Sequence, residues 1–277
     1  MTTQPPVVLF RTPDYRYGLE KTVASKYFQV YTQRSEVPPN SLVIGRYSVL
    51  PFYRELEKDL AWNKSRLINT HAQHRYIADL QNWYSDLGDS LTPRTWTRLE
   101  DVPTDGPFIV KGETNSRKDK WNTLMYAANK QEAIKIANEL SSDGLLLNQS
   151  LSVRQYVPLK TFFHSPINGQ PITEEYRFFC LDKKVVCGAY YWSDFADDLK
   201  EQGIVVDPAV VPPAFMEEVL NKIGDNARFF VVDVAITAEG KPIVVELNDA
   251  QMSGPSENDL DNLYGTLYTH LVTKTRA

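Results

Sequence analysis

Two apolar runs near the end of the chain each carry a carboxylate. VVDVAI contains Asp233, and PIVVELNDA contains Glu246, with Asn248 two residues further on. A carboxylate inside an apolar run is costly unless something pairs with it. Glu239-Gly240 lies between the runs and favours a tight reversal; with that pair as the loop, Ala238 meets Lys241 and Asp233 falls opposite Glu246. Strand side chains alternate, so Asn248 shares the face of Glu246 while Asp249 points to the other. Directly opposed like charges destabilise a strand pair. A set of oxygens alone suits a hard divalent cation, and magnesium commonly takes one or two carboxylates together with substrate phosphates. The spacing equally allows Asp233 in a bulge and Glu246 at a solvated edge, each beside a Lys or Arg.

These residues need a scaffold, and hydrophobic periodicity outlines one. VVLF (7–10), YFQVYT (27–32) and SLVIG (41–45) read as strands, and VLPFYRELEKDLAW has the three-and-four spacing of a helix. HAQHRYIADLQNWYSDL (71–87) predicts one helix, PFIVKG a strand, QEAIKIANEL a helix, and GLLLNQ and SVRQYV two further strands. Residues 193–211 read as loop. PPAFMEEVLNKIG and NDLDNLYGTLYTHLVTK read as helices around the closing hairpin RFFVVDVAITAEGKPIVVELN. Strands mixed with helices and several late hairpins predict an α+β fold with antiparallel sheets, preceded by a small α/β unit.

Composition narrows the class. The chain has 277 residues, 42% hydrophobic and 23% charged, enough for a sizeable core. A formal charge of -5 with scattered Lys and Arg provides no basic stripe for duplex nucleic acid. MTTQPPVVLF lacks the pattern of a signal peptide, and no apolar run approaches the roughly 18–20 residues of a membrane span, so a cytoplasmic, soluble protein is expected. Cys180 and Cys187 flank the turn LDKK and read as two reduced thiols, although a bridge across the hairpin is open. The four histidines form no HExxH, and no GxSxG, GxxxxGK[ST] or GxGxxG motif occurs.

The closing hairpin, with D ending one apolar run and ExN the next and with thirteen residues from Asp233 to Glu246, resembles the ATP-grasp superfamily of glutathione synthetase and D-alanine ligase type. The resemblance implies that Asp233, Glu246 and Asn248 hold magnesium, or manganese in its place, on the phosphates of ATP. It implies that Lys111 of FIVKG reaches those phosphates and that Gln155 and Val157 of the hinge strand meet the adenine through main-chain groups. Glu175 is implied at the ribose and Arg177 at the phosphates, with Lys111 and Arg177 as the catalytic cations. ETNSRKDKWN stands where the family has a glycine-rich phosphate-covering loop, and its basic side chains replace backbone amides in that role. Arg154 stands where many members have Glu. Many members also have Arg two residues before the metal-binding Asp; here that position is Val231, which leaves Arg177, Lys184 and Arg228 as candidates for the charge.

The implied organisation is an N-terminal α/β domain over 1–68 and an ATP-grasp domain over 69–277, with a central part to about 153 and a C-terminal part from about 154. The implied activity is a ligase that makes an acyl phosphate from a carboxylate with release of ADP, for attack by an amine, on a small-molecule or peptide substrate pair. A phosphotransferase and a non-catalytic ATP-binding adaptor are the alternatives.

Overall fold

The computed structural model describes residues 5–11, 18–114, 116–144, 146 and 149–273. The N-terminal part is built on four short parallel strands, β1 (Val7–Leu9), β2 (Gln29–Tyr31), β3 (Leu42–Gly45) and β4 (Arg66–Leu67), in the order β2-β1-β3-β4. Helices α1 (Gly18–Ala24) and α2 (Tyr53–Ala61) accompany it. Val7, Val8, Leu9, Val43 and Ile44 are buried, as the near-continuous apolar runs of a parallel sheet covered on both faces require.

The predicted helix over 71–87 is two helices, α3 (His71–Ala78) and α4 (Leu80–Leu87). The break is a capping event. Asp79 takes extended backbone angles (φ -96°, ψ 108°), and its side chain accepts a bond from the Gln81 amide, so it starts a new helix instead of continuing the old one. The freed Leu80 amide donates to the Glu113 carbonyl at 3.3 Å. Helix α3 begins with a capping box between Thr70 and Gln73.

A second sheet, antiparallel in the order β5-β8-β6-β7, contains β5 (Thr95–Trp96), β6 (Asp105–Gly112), β7 (Tyr126–Asn129) and β8 (Leu151–Gln155). The short helix α5 (Trp121–Leu124) precedes β7, and α6 (Lys130–Leu140) follows it, capped by the Asn129 side chain on the Glu132 amide. Of the strand expected at GLLLNQ, Leu145, Leu147 and Asn148 lie outside the described residues, and Gly144 and Leu146 are in turns. Asn115 of the polar segment ETNSRKDKWN also lies outside them.

Strands β9 (Thr161–His164) and β10 (Pro171–Thr173) form a small ribbon leading into the third main sheet. That sheet is antiparallel, ordered β12-β11-β13-β14, from β11 (Glu175–Leu181), β12 (Lys184–Tyr190), β13 (Phe229–Ile236) and β14 (Pro242–Asp249). Between β12 and β13 lie α7 (Ala196–Glu201), within the stretch expected to be loop, and α8 (Pro213–Ile223); α9 (Leu260–Thr273) follows β14. The polar run ADDLKE hid α7, which contributes one buried apolar side chain, Leu199, to the core.

One face of this sheet, carrying Tyr176, Phe178, Phe230, Val232 and Val234, packs on α3, α4 and α8. Part of the other face, at Phe179, Phe229 and Val231, is covered by α9 and the N-terminal sheet. The rest of that second face carries the charged residues Arg177, Asp233 and Glu246. Cys187 pairs with Phe179 and Cys180 with Val185, so the two thiols belong to opposite faces, and both are free.

Candidate active site

Asp233 does stand opposite Glu246, but by a different route from a two-residue turn. Ile236 pairs with Pro242, Ala235 with Ile243 and Val234 with Val244, and the register then shifts by one residue so that Asp233 meets Glu246. The loop is therefore one residue longer, Ala238 to Gly240, with Gly240 at φ +81°, the three-residue hairpin geometry that needs a left-handed residue. Val245 is the extra residue of a β-bulge. Without that bulge Val245 would face Asp233, and Glu246 would turn into the apolar face. The Val245 carbonyl accepts instead from Arg154, at 2.6 Å. Arg154 also donates to Thr92 Oγ1 at 2.6 Å and lies over the Trp83 ring; burial lowers its pKa to about 10, against the pull of Glu246.

Arg177, Asp233 and Glu246 form one cross-strand row over β11, β13 and β14. Arg177 grips Asp233 with two parallel bonds of 2.8 Å, and Asp233 is fully buried. Lys111, from the facing sheet, forms an ion pair with Glu246. Burial lowers the pKa of Lys111 and would raise that of Glu246, but Lys111, Lys118 and Arg177 together hold Glu246 down at about 2. The like-charge conflict read from the sequence is thus resolved by one cation on each carboxylate. Asn248 is on the same face, opposite Val231.

Two cavities meet at this row. The first, about 120 Å³, lies between the second and third sheets and is bordered by Lys111, Gln155, Val157, Glu175 and Glu246. The second, about 300 Å³, is bordered by Ser48 of the N-terminal part, His74, Arg177, Asn248, Asp249 and Ser253. Ser116, Lys118 and Glu246 border both. Lys118 donates to the Tyr191 hydroxyl at 2.9 Å and sits over the Tyr191 and Trp192 rings. Burial alone would lower its pKa, but Tyr191, Glu175 and Glu246 raise it, so it stays charged. Glu175 is the opposite case, since burial pushes it up to about 7 despite Lys118 nearby.

Of the residues named from the sequence, Lys111, Gln155, Val157, Glu175, Arg177, Glu246 and Asn248 border the two cavities, and Asp233 lies directly beneath Arg177. Lys184 does not join them. The β11–β12 register places it opposite Leu181 at the exposed tip of the hairpin, whereas Arg177 is opposite Ala189. Arg228 is likewise taken up elsewhere, by Asp182 at 2.9 Å. Lys118 was legible only as one basic residue of a polar segment, because nothing in its spacing distinguishes it from Arg117, which pairs with Asp143, or from the exposed Lys120. His74 and Asp249 belong to no sequence motif.

Among the described residues no group of three or more His, Cys, Asp or Glu is placed to hold a metal ion, so any cation at this row relies on two carboxylates and the Asn248 amide oxygen. These are all hard oxygen donors, which fits magnesium.

A cavity beside Gln155 and Val157, a strand lysine reaching across to a hairpin carboxylate, and a second polar cavity beyond it are the arrangement expected of an ATP-grasp domain. Residues 98–267 match the model of an ATP-grasp domain family, the third of its clade, and the chain belongs to that family. No curated protein sequence matches the chain. Among solved structures, D-cycloserine synthetase DcsG superposes with a TM-score of 0.61 at 14% identity over 96% of this chain and 99% of that one. A RimK domain ATP-grasp protein from Sphaerobacter thermophilus gives 0.56 at 13% identity over 96% and 99% of the chains. The ATP-grasp ligase PsnB, complexed with a precursor peptide and AMPPNP, gives 0.55 at 13% identity over 99% and 98%. At these identities the structures share the fold. The α+β class read from the sequence and the ATP-grasp resemblance both hold.

Proposed function

We propose that the protein is an ATP-dependent ligase that activates a carboxylate as an acyl phosphate, with release of ADP, for attack by an amine. The observation that carries this reading is the meeting of two cavities at Lys118 and Glu246. A nucleotide in the first cavity, with its base along the Gln155–Val157 edge and its ribose toward Glu175, directs its terminal phosphate to the point where the second cavity begins. Phosphoryl transfer needs charge neutralisation and alignment more than a protein nucleophile, and Lys111, Lys118 and Arg177 supply three cations there.

The ion pairs Lys111–Glu246 and Arg177–Asp233 act as placeholders in this reading. With Lys111 and Arg177 engaged by phosphate oxygens, the oxygens of Glu246 and Asp233, with that of Asn248, would be free to hold a divalent cation. That cation, magnesium or manganese, supplies charge neutralisation on the phosphates when bound. The second cavity takes the acid, with Arg177 beside its carboxylate, and then the amine. Supporting this on the side of the relatives, PsnB has been seen with magnesium and ADP.

The division into an N-terminal domain over 1–68 and an ATP-grasp domain over 69–277 is part of the proposal, modified by the packing of α3 and α4 on the C-terminal sheet and of β8 within the central one. The test is incubation of the protein with ATP, magnesium, hydroxylamine and a library of carboxylic acids. The ligase reading expects acid-dependent ADP and a hydroxamate. A stable phosphorylated acceptor would make the protein a phosphotransferase, and nucleotide binding with no turnover on any acid would make it an adaptor.

A further inference from the structure

We infer that His74, oriented by Asp249, accepts the proton of the attacking amine in the second cavity. The assignment presupposes the ligase reading of the same site and adds the group that completes its second step.

His74 is buried and borders the cavity. Its Nδ1 lies 3.1 Å from Asp249 Oδ2, and its ring stacks on Tyr53 with centroids 4.2 Å apart and planes 10° from parallel. Its Nε2 has no hydrogen-bond partner among the described residues. In an imidazole kept only for packing, a buried ring nitrogen left unpaired is a cost with no return.

The surroundings of Asp249 decide the tautomer. Its Oδ1 accepts from Asn69 Nδ2 at 2.9 Å and from the Gln251 amide at 3.0 Å, with Gln251 Nε2 3.3 Å from both oxygens. Asn69 and Gln251 are themselves fixed, the first to the backbone of Phe229 and the second to the Tyr53 hydroxyl. A carboxylate ringed by donors can only accept, so the proton shared with His74 resides on Nδ1, and in the neutral imidazole Nε2 is the nitrogen left to accept. This is the carboxylate–imidazole arrangement of a general base.

The other titratable groups bordering the cavity cannot do this. Glu246 is paired with Lys111 and held near pKa 2, Asp249 is saturated with donors, Lys118 and Arg177 are cations, and Tyr191 is a phenol that accepts from Lys118 and whose pKa, against the pull of Lys118, is raised by burial. In the step itself the amine nitrogen bonds to the acyl carbon and the C–O bond to the phosphoryl group breaks, its electron pair leaving with phosphate. The proton shed by nitrogen goes to Nε2, and the imidazolium, stabilised by Asp249, releases it to solvent.

The test compares wild type and His74→Gln with ATP, magnesium and the acid library in two arms, one with hydroxylamine and one with a library of primary amines. Hydroxylamine is largely unprotonated at neutral pH and needs little help from a base, so the ratio of amide to hydroxamate is expected to fall about 10²–10⁴-fold in the variant. An unchanged ratio overturns the assignment. If wild type forms no hydroxamate with any acid, the ligase reading fails and the assignment fails with it; an unchanged ratio leaves the ligase reading standing. Should the variant not fold, ¹⁵N NMR of histidine-labelled wild type decides: Nδ1–H with bare Nε2, lost in Asp249→Asn, is expected, and a resting Nε2–H tautomer contradicts the role.

Discussion

Lys111 and Glu246 are a pair on which stability turns and, in the proposed ligase, chemistry as well. Lys111 is buried and Glu246 is largely covered, so removing one strands a charge in a poorly solvated site, at a cost of about 3–5 kcal/mol. Lys111→Met is expected to destabilise by that order, and Lys111→Met with Glu246→Gln by much less, as read by urea unfolding in a double-mutant cycle. Glu175 gives a pH signature. Its native pKa of about 7 exceeds the ordinary value of 4.5, so its contribution to stability is fully present below about pH 4.5 and is lost as pH rises through about 7. The loss amounts to about 3 kcal/mol. Glu175→Gln is therefore expected to be more stable than wild type at pH 8, with no advantage at pH 4; an equal effect at both values would mean that the carboxyl is not held protonated. The opposed carboxylates were legible in the sequence but the pairing of Glu246 with Lys111 was not, because a cation arriving from a facing sheet leaves no trace in the spacing of the strand it pairs with.

At the scale of elements, the bulge at Val245 aims the site. Counting from a two-residue turn reaches the right pair because a longer loop and a bulge offset each other by one residue. Because Val245 is the extra residue, deleting it is expected to leave Glu246 opposite Asp233 in a regular pair and to keep AMPPNP–magnesium binding in calorimetry, whereas deleting Glu239 from the loop, which moves the pairing by one residue, is expected to abolish it; lost binding on deletion of Val245 would show that the bulge acts through more than register. The break at Asp79 was legible in principle, since Asp is a strong helix starter, yet apolar periodicity runs through it unbroken in the sequence. Asp79→Ala is expected to cost about 1 kcal/mol of stability. Strong periodicity made α6, α8 and α9 readable, whereas the short strands β5, β9 and β10 carry too few residues to show a period.

At the scale of the whole molecule, the charges that would hold the nucleotide come from two sheets, Lys111 from the central one and Arg177, Asp233 and Glu246 from the C-terminal one. The N-terminal part adds Ser48 and Leu50 to the wall of the second cavity. AMPPNP with magnesium should thus stabilise the fold as a unit, by about 2.7 kcal/mol at a hundredfold excess over its dissociation constant. Lys184→Ala, at the exposed hairpin tip, should leave that gain unchanged. What the substrates are was not readable, because the second cavity is assembled from residues 48, 74, 177, 248 and 253, which no local motif connects. The most direct measurement of the central claim is product analysis with ATP, magnesium, hydroxylamine and a carboxylic acid library. Acid-dependent ADP with a hydroxamate, abolished in Lys111→Ala, is the result expected, and AMP release or a stable phosphorylated acceptor would contradict it.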